Sequence, residues 1–173
     1  MKKLIAFGWG IGISIFISCA ILPHRTAEQT AQRPSSTPML TGWLTAKQLC
    51  GQLQKYEIGK VQYQPDPEPV EQLKKFSQDA HILVFLGTWC SDSEREVPRF
   101  LKIMDMVQNE RIKYQLFGLD RSKRDAEGFA QKHQIEFVPT FIVLHGNQEI
   151  GRIVEQPMVS LEHDLVEILA TLK

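Results

Sequence analysis

The chain predicts an α/β fold: a mixed central sheet flanked by helices, with an extra N-terminal helix. Three observations carry this. Apolar runs of strand length alternate with segments of helical period from residue 61 onward. Residues 82–86 are continuously apolar, as a strand buried on both faces is. Two late apolar runs flank His145-Gly146-Asn147, which predicts an antiparallel hairpin at one side of the sheet.

Each element follows from local pattern. Trp43, Leu44, Leu49, Leu53 and Tyr56 recur at helical spacing, so 43–56 reads as helix with Thr41 or Thr45 as its cap. Val61-Gln62-Tyr63 reads as a short strand. Pro65, Pro67 and Pro69 forbid a ladder, so 65–69 reads as extended or turned. Residues 70–78 form a helix with Val70, Leu73 and Phe76 inward. After the strand at 82–86, a helix over 91–108 places Val97, Phe100, Leu101, Met104 and Val107 on one face. Pro98 lies inside it and predicts a kink. Residues 113–119 read as strand, 123–133 as helix, 140–144 and 149–154 as strands, and 161–172 as an amphipathic terminal helix. There is no internal repeat.

Composition narrows the function classes. Lys plus Arg and Asp plus Glu both number 20, so the net charge is zero and nothing resembles the basic footprint of a nucleic-acid binder. Cys19, Cys50 and Cys90 are too few and too scattered for a disulfide framework. His24, His81, His133, His145 and His163 show neither i,i+4 pairing nor a cysteine at ligand spacing, so no metal and no cofactor are expected.

Residues 1–22 read as an export signal or membrane anchor. Lys2 and Lys3 precede an apolar run of 19 residues, 4–22, long enough to span a bilayer. Phe16-Ile17-Ser18-Cys19 is similar to a bacterial lipobox, making Cys19 a lipidation candidate. Ser18-Cys19-Ala20 also fits ordinary signal cleavage, and in an uncleaved anchor Cys19 is one more apolar residue. Residues 23–41, rich in Gln, Thr, Ser, Ala and Pro, read as a disordered tether with a reach on the order of 25 Å. Residues 42–173 form the folded domain. The expected location is the cell envelope, tethered to the membrane and facing the periplasm or exterior.

The chemistry concentrates in Gly87-Thr88-Trp89-Cys90-Ser91-Asp92-Ser93. Cys90 falls at a strand-to-helix junction, where backbone N–H groups and the helix dipole favour a thiolate. Ser93, one turn inside, is placed to donate a hydrogen bond to that thiolate. Asp92, Glu94 and Glu96 oppose it, and Arg95 and Arg99 offset them in part. A purely structural alternative exists: Ser91 and Glu94 have the spacing of a capping box, which would leave Cys90 merely preceding the cap. Trp89 favours the functional reading, because a loop before a helix has little structural need of so large an aromatic. Cys50 reads either as a buried apolar cysteine between Leu49 and Leu53 or as a thiol that pairs with or resolves Cys90. Asp120 reads as lining the site or, with Ser122, as capping the next helix.

Trp89-Cys90 at this junction, Pro98 eight residues on, Val138-Pro139-Thr140 and Gly146-Asn147 together resemble the thioredoxin family over about 61–172. The resemblance implies a thioredoxin fold, a nucleophilic Cys90, and a cis-proline at Pro139 facing it. It also implies that Trp89, Asp92, Val138, Pro139 and Thr140 border the substrate, which pairs in extended form with the Val138 backbone. Two positions depart from the family. Ser93 stands where the resolving cysteine is expected, and Val84 where thioredoxin has a buried aspartate that serves that cysteine. The chain is also similar to bacterial envelope proteins of this fold carrying Trp-Cys-x-Asp-Ser. It does not resemble peroxiredoxins, since Gly87 and Leu83 replace the residues they need, nor glutaredoxins, which carry a Gly-Gly pair after the proline.

Two functions follow as expectations. One is single-cysteine thiol–disulfide exchange by Cys90, assisted by Ser93, on protein or small-molecule thiols and disulfides. The other is a redox-silent module that binds an extended peptide or partner in the groove near Trp89 and Pro139.

Overall fold

The computed structural model describes residues 39–172. The expectations for the export segment, Cys19 and most of the tether lie outside the described residues. Five strands form one mixed sheet in the order β1-β3-β2-β4-β5. They are β1 (Gly42–Leu44), β2 (Ala80–Leu86), β3 (Ile112–Gly118), β4 (Thr140–His145) and β5 (Gln148–Val154). β2 and β3 run parallel; the other pairs are antiparallel. The helices are α1 (Ala46–Gln52), α2 (Pro67–Lys75), α3 (Ser91–Val107), α4 (Phe129–Lys132) and α5 (Leu161–Ala170). This is the mixed sheet flanked by helices that the sequence predicts.

Strand alternation divides the core in two. Ile82, Val84 and Leu86 of β2 join Phe100, Leu101, Leu161 and Leu165 in a large cluster roofed by α1, α2, α3 and α5. Leu83 and Phe85 point to the opposite face, into a smaller cluster with Phe117, Leu119, Ala130 and Ile142. Trp89 and Cys90 border that smaller cluster; Cys50 borders the large one.

Four local expectations need correction. Trp43 and Leu44 belong to β1, paired with Phe117 and Leu116 of β3, and helix begins only after Thr45. Thr45 and Gln48 close a reciprocal capping box there: the Thr45 hydroxyl accepts from Gln48 N–H at 3.1 Å, and the Gln48 side-chain oxygen accepts from Thr45 N–H at 2.9 Å. Val61–Tyr63 is not a strand. The Lys102 ammonium donates to the Val61 and Tyr63 carbonyls, and buried Glu162 accepts from the Tyr63 hydroxyl and the Asp66 N–H. Side chains of α3 and α5 thus supply the partners a neighbouring strand would have supplied. The proline-rich stretch opens α2, with Pro67 in the first turn, where its missing N–H is no loss, and Asp66 accepting from Glu68 N–H.

The helix expected over 123–133 shrinks to α4. Asp125 captures the N–H groups of Glu127, Phe129 and Ala130, while Lys123 and Gly128 take positive φ angles of 55° and 69°. Short acidic side chains here outcompete the helical ladder for backbone donors. Burial pushes the Asp125 carboxyl up, but the N–H groups of Ala130 and Phe129 outweigh it and hold the group below its usual range.

The hairpin from β4 to β5 turns at Gly146, φ +59°, and carries a bulge at Val143/Leu144. At the other edge the Leu40 backbone crosses Gly118, where a Cβ would come within 2.2 Å of the Leu40 carbonyl oxygen, so the position demands glycine. Leu40 N–H donates to the Thr88 hydroxyl at 3.1 Å, which places the end of the 23–41 segment against the domain.

Burial holds His81 below its ordinary value near 6.5, helped by Lys113 opposite it on β3. Burial does the same for His133, which packs on the Phe85 and Phe129 rings and lies near Lys132. A histidine depressed in the folded state is protonated first in the unfolded chain. Its contribution is therefore full above about pH 6.5 and is lost as the pH falls through the folded value. The melting temperature is expected to be lower at pH 5 than at pH 7.5, and the paired variant His81→Gln, His133→Gln to narrow the gap. A gap that widens in that variant would contradict the assignment.

Candidate functional site

β2 is the central strand and is buried throughout its last five residues, so the chain leaves the sheet at Gly87 as a tight turn. Cys90 N–H donates to the Gly87 carbonyl at 2.9 Å, closing the turn, and α3 starts at Ser91. Leu119 N–H donates to the Leu86 carbonyl at 2.8 Å and ties the next connection to the same place. The Trp89 indole N–H donates to the Leu119 carbonyl at 2.9 Å, and the Arg121 guanidinium lies 5.0 Å from its ring centre. Trp89 lies so close to Gly87 that a Cβ there would meet the indole at 2.7 Å. Gly87 and Trp89 are one packing unit.

Cys90 is the N-cap residue of α3, but its side chain makes no capping hydrogen bond. The thiol donates instead to the Val138 carbonyl at 3.1 Å. The Val138–Pro139 peptide bond is cis. Sulfur and proline loop thus meet across 48 residues of sequence. Cys90 is partly exposed; Val138 and Pro139 are buried.

The other residues singled out by sequence divide into two groups. Asp92 is partly exposed on the first turn of α3, paired with Arg95 at 2.7 Å. Ser93 is fully buried, and its hydroxyl accepts the Gly87 N–H at 3.1 Å, bracing the turn that presents Cys90. Thr140 is 2% exposed and donates to the Phe137 carbonyl at 2.8 Å, while Glu155 N–H takes the Pro139 carbonyl at 2.7 Å. Thr140 therefore holds the proline loop from inside. Val84 is fully buried in the large cluster.

The capping box at Ser91 and Glu94 does not form, because helix starts one residue earlier than that pattern needs, with Cys90 as cap. Glu94 is taken by the Lys55 ammonium at 2.8 Å. An exposed pair of this kind adds at most about 1 kcal/mol to stability, so its larger effect is on the charge near Cys90. Glu96, 2% exposed, accepts from Arg95 and Arg99 through one oxygen at 2.6 and 3.0 Å, and its other oxygen has no partner. All three acidic residues of the first two turns of α3 are thus neutralised by neighbours. Asp120 forms a local turn with Ser122, whose hydroxyl holds its carboxyl below the usual range; it caps no helix.

Cys50 and Cys90 are both free. The Cys50 thiol donates to the Tyr56 carbonyl at 2.9 Å, and burial pushes it up. Sequence reasoning missed Lys55, Arg121, Phe137 and Tyr56. Phe137 is 48% exposed beside the proline loop, and Tyr56 is fully buried with no hydrogen bond at its hydroxyl. Only the aromatic character of the last two is visible in sequence; the position of Phe137 beside the proline loop is tertiary.

Three comparisons bear on this arrangement. No curated protein matches the chain. Among solved structures it is similar to a protein of unknown function from Pseudomonas aeruginosa, with 19% identity, covering 69% of this chain and 80% of that one at a TM-score of 0.49. It is also similar to the reduced form of thioredoxin 2 from Pseudomonas aeruginosa PAO1, with 16% identity over 65% and 98% of the two chains and a TM-score of 0.40. For the Fasciola hepatica thioredoxin the values are 16%, 60% and 89%, and 0.40. A family model described as Thioredoxin matches residues 51–166, which takes in α2, β2, the Trp89-Cys90 junction, the cis-proline loop and the hairpin. With well over half of its length inside that match, the chain belongs to the thioredoxin family.

Proposed function

We propose that this protein is a membrane-tethered, extracytoplasmic thiol–disulfide exchange protein that acts through one thiol, Cys90. The family supports thiol–disulfide chemistry in general terms. The observation that carries the single-thiol reading is the 3.1 Å contact of the Cys90 sulfur with Val138, beside cis-Pro139. It puts a partly exposed cysteine beside the proline loop, with Phe137 exposed alongside.

The step balances without a resolving cysteine. Ionised Cys90 attacks one sulfur of a disulfide; a new S–S bond forms, the old one breaks, and the departing thiolate takes a proton from water. A second thiolate, from the substrate or from a small thiol such as glutathione, then attacks the mixed disulfide and releases Cys90. No net electrons leave the protein, which suits isomerisation and reduction of mixed disulfides. The backbone N–H groups at the start of α3 stabilise the ionised sulfur, since Cys90 already holds the cap position that faces them. Ser93 acts by bracing Gly87, while Trp89 is held by the Leu119 carbonyl and Asp92 by Arg95. Cys50, with its thiol engaged by Tyr56 and pushed up by burial, is a poor resolving group.

A chromogenic aromatic disulfide is expected to release about one equivalent of coloured thiol per protein without added thiol, and to turn over once glutathione is supplied. Cys90→Ser abolishes both, and Cys50→Ser preserves both. Sustained turnover by Cys90→Ser would overturn the proposal, and a Cys90 inert toward the reagent would leave a peptide-binding module.

The envelope location rests on Lys2, Lys3 and the apolar run 4–22, with Cys19 as the lipidation candidate. No helix among the described residues is long and apolar enough to cross a membrane. In cells producing the full chain, a membrane-impermeant maleimide is expected to label Cys90 after permeabilisation of the outer envelope alone. Labelling only after the cytoplasmic membrane is broken would contradict the location.

A further inference from the structure

The chain enters its folded domain at the Cys90 end. β1 runs antiparallel to β3 and starts with Gly42 beside Gly118, the last residue of β3. β3 is parallel to β2, so that end of β3 is also the end from which Gly87 leads to Cys90. Just before β1, the Leu40 N–H donates to the hydroxyl of Thr88 at 3.1 Å, close in sequence to Cys90. Only residues 23–38 separate Met39 from the apolar run 4–22, a reach on the order of 20 Å.

The same end gathers the exposed apolar side chains. Met39 is exposed beside Leu40, at the β1 edge. Phe137 is exposed next to Val138, whose carbonyl takes the Cys90 thiol. Val154, also exposed, closes β5 and pairs with Thr140. Met158 and Val159 follow in the connection to α5 and are 95% and 70% exposed. The buried Asp164 carboxylate accepts both of their N–H groups, at 2.7 and 3.2 Å, so the fold fixes the backbone that carries these two side chains outward. With the strand order β1-β3-β2-β4-β5, the row crosses the sheet from one edge to the other, about 19 Å at the usual interstrand spacing. Trp43 adjoins it on β1. Among the described residues only Met106, near the far end of α3, is a large exposed apolar side chain elsewhere.

One extended peptide needs only the middle of this row, between Cys90 and Pro139. Apolar side chains carried out to both edges suit a broad, flat partner. Charges of both signs surround the row: Arg121 stands over Trp89 and Lys123 over Phe137, while Asp120, Glu136 and Glu155 lie in the same connections. Attraction to an anionic surface is therefore not needed. We propose that this end of the domain docks on a bilayer surface, with Phe137, Val154, Met158 and Val159 entering the headgroup region and Cys90 held at that level. The inference rests on the membrane-tethered reading above. It makes disulfides of proteins lying at the same surface the substrates that Cys90 meets first; soluble proteins reach the sulfur only when the domain lifts away.

The test places the full chain in phosphatidylcholine vesicles in which some lipids carry a nitroxide on the headgroup. A fluorescent amino acid replaces either Gln156, in the connection between β5 and α5, or Asn147, in the hairpin turn that the register of β4 on β2 sets at the opposite end. Both positions are exposed. Quenching at position 156 is expected to exceed that at position 147 by at least about twofold, and Met158→Asp with Val159→Asp to bring it down to the level at 147. Equal quenching at the two positions overturns the proposal and leaves this face to protein substrates. Quenching at 156 that the double substitution does not lower also overturns it, because closeness to the anchor alone would then explain the signal. A chain that does not float with the vesicles overturns the tethered reading and this one together. Failure of the exchange reading is seen separately, as a Cys90 inert toward the chromogenic disulfide with the quenching difference intact.

Discussion

The site depends on the hydrogen bond between the Cys90 thiol and the Val138 carbonyl. It joins two segments that the sheet brings to the same end. β2 lies at the centre and is buried throughout its last five residues, so its exit point is set by packing against β3 and β4. β4 begins at Thr140, directly after the cis-proline, and Thr140 pairs with Phe85 of β2. The register that buries Phe85 and Phe141 on opposite faces therefore also sets the proline loop beside Cys90. Gly87, Ser93 and Trp89 reinforce that placement from the turn, and Thr140 and Glu155 reinforce it from the loop.

Electrostatics at the start of α3 follows from the same construction. A helix N-terminus favours anions, yet this one carries Asp92, Glu94 and Glu96 within its first two turns. Arg95 and Arg99 come from the helix itself, and Lys55 comes from the segment preceding α2. That segment gives the chain a feature that Trp89, Cys90 and Pro139 alone would not: it packs on α3 and supplies a cation to Glu94. The acidic side chains of the first two turns are thus each matched by a cation.

The central elements were legible because their pattern is dictated by burial. The continuous apolar run of β2, the 3.6-period face of α3 and the Gly146-Asn147 turn each leave one reading, and each forms as expected. That Cys90 faces Pro139 came only from the resemblance to the thioredoxin family, since the sulfur and the proline loop meet across 48 residues of sequence. What sequence hid were places where side chains from distant elements replace backbone partners. Lys102 and Glu162 hold 61–66 outside any sheet, and Asp125 consumes the donors that a longer α4 would need. Trp43 and Leu44 have helical spacing to Leu49, but pairing with Phe117 and Leu116 makes them strand. Ser93 and Thr140 were legible as site neighbours, while their inward orientation was not, because hydroxyls of this kind serve either a ligand or the backbone.

The most direct measurement is peptide mapping of the folded full chain after exposure to excess oxidised glutathione. A Cys90 held beside the proline loop, with Cys50 engaged by the Tyr56 carbonyl, predicts a glutathione adduct on the Cys90 peptide and little on the Cys50 peptide. An adduct on Cys50 with Cys90 left unmodified would contradict it.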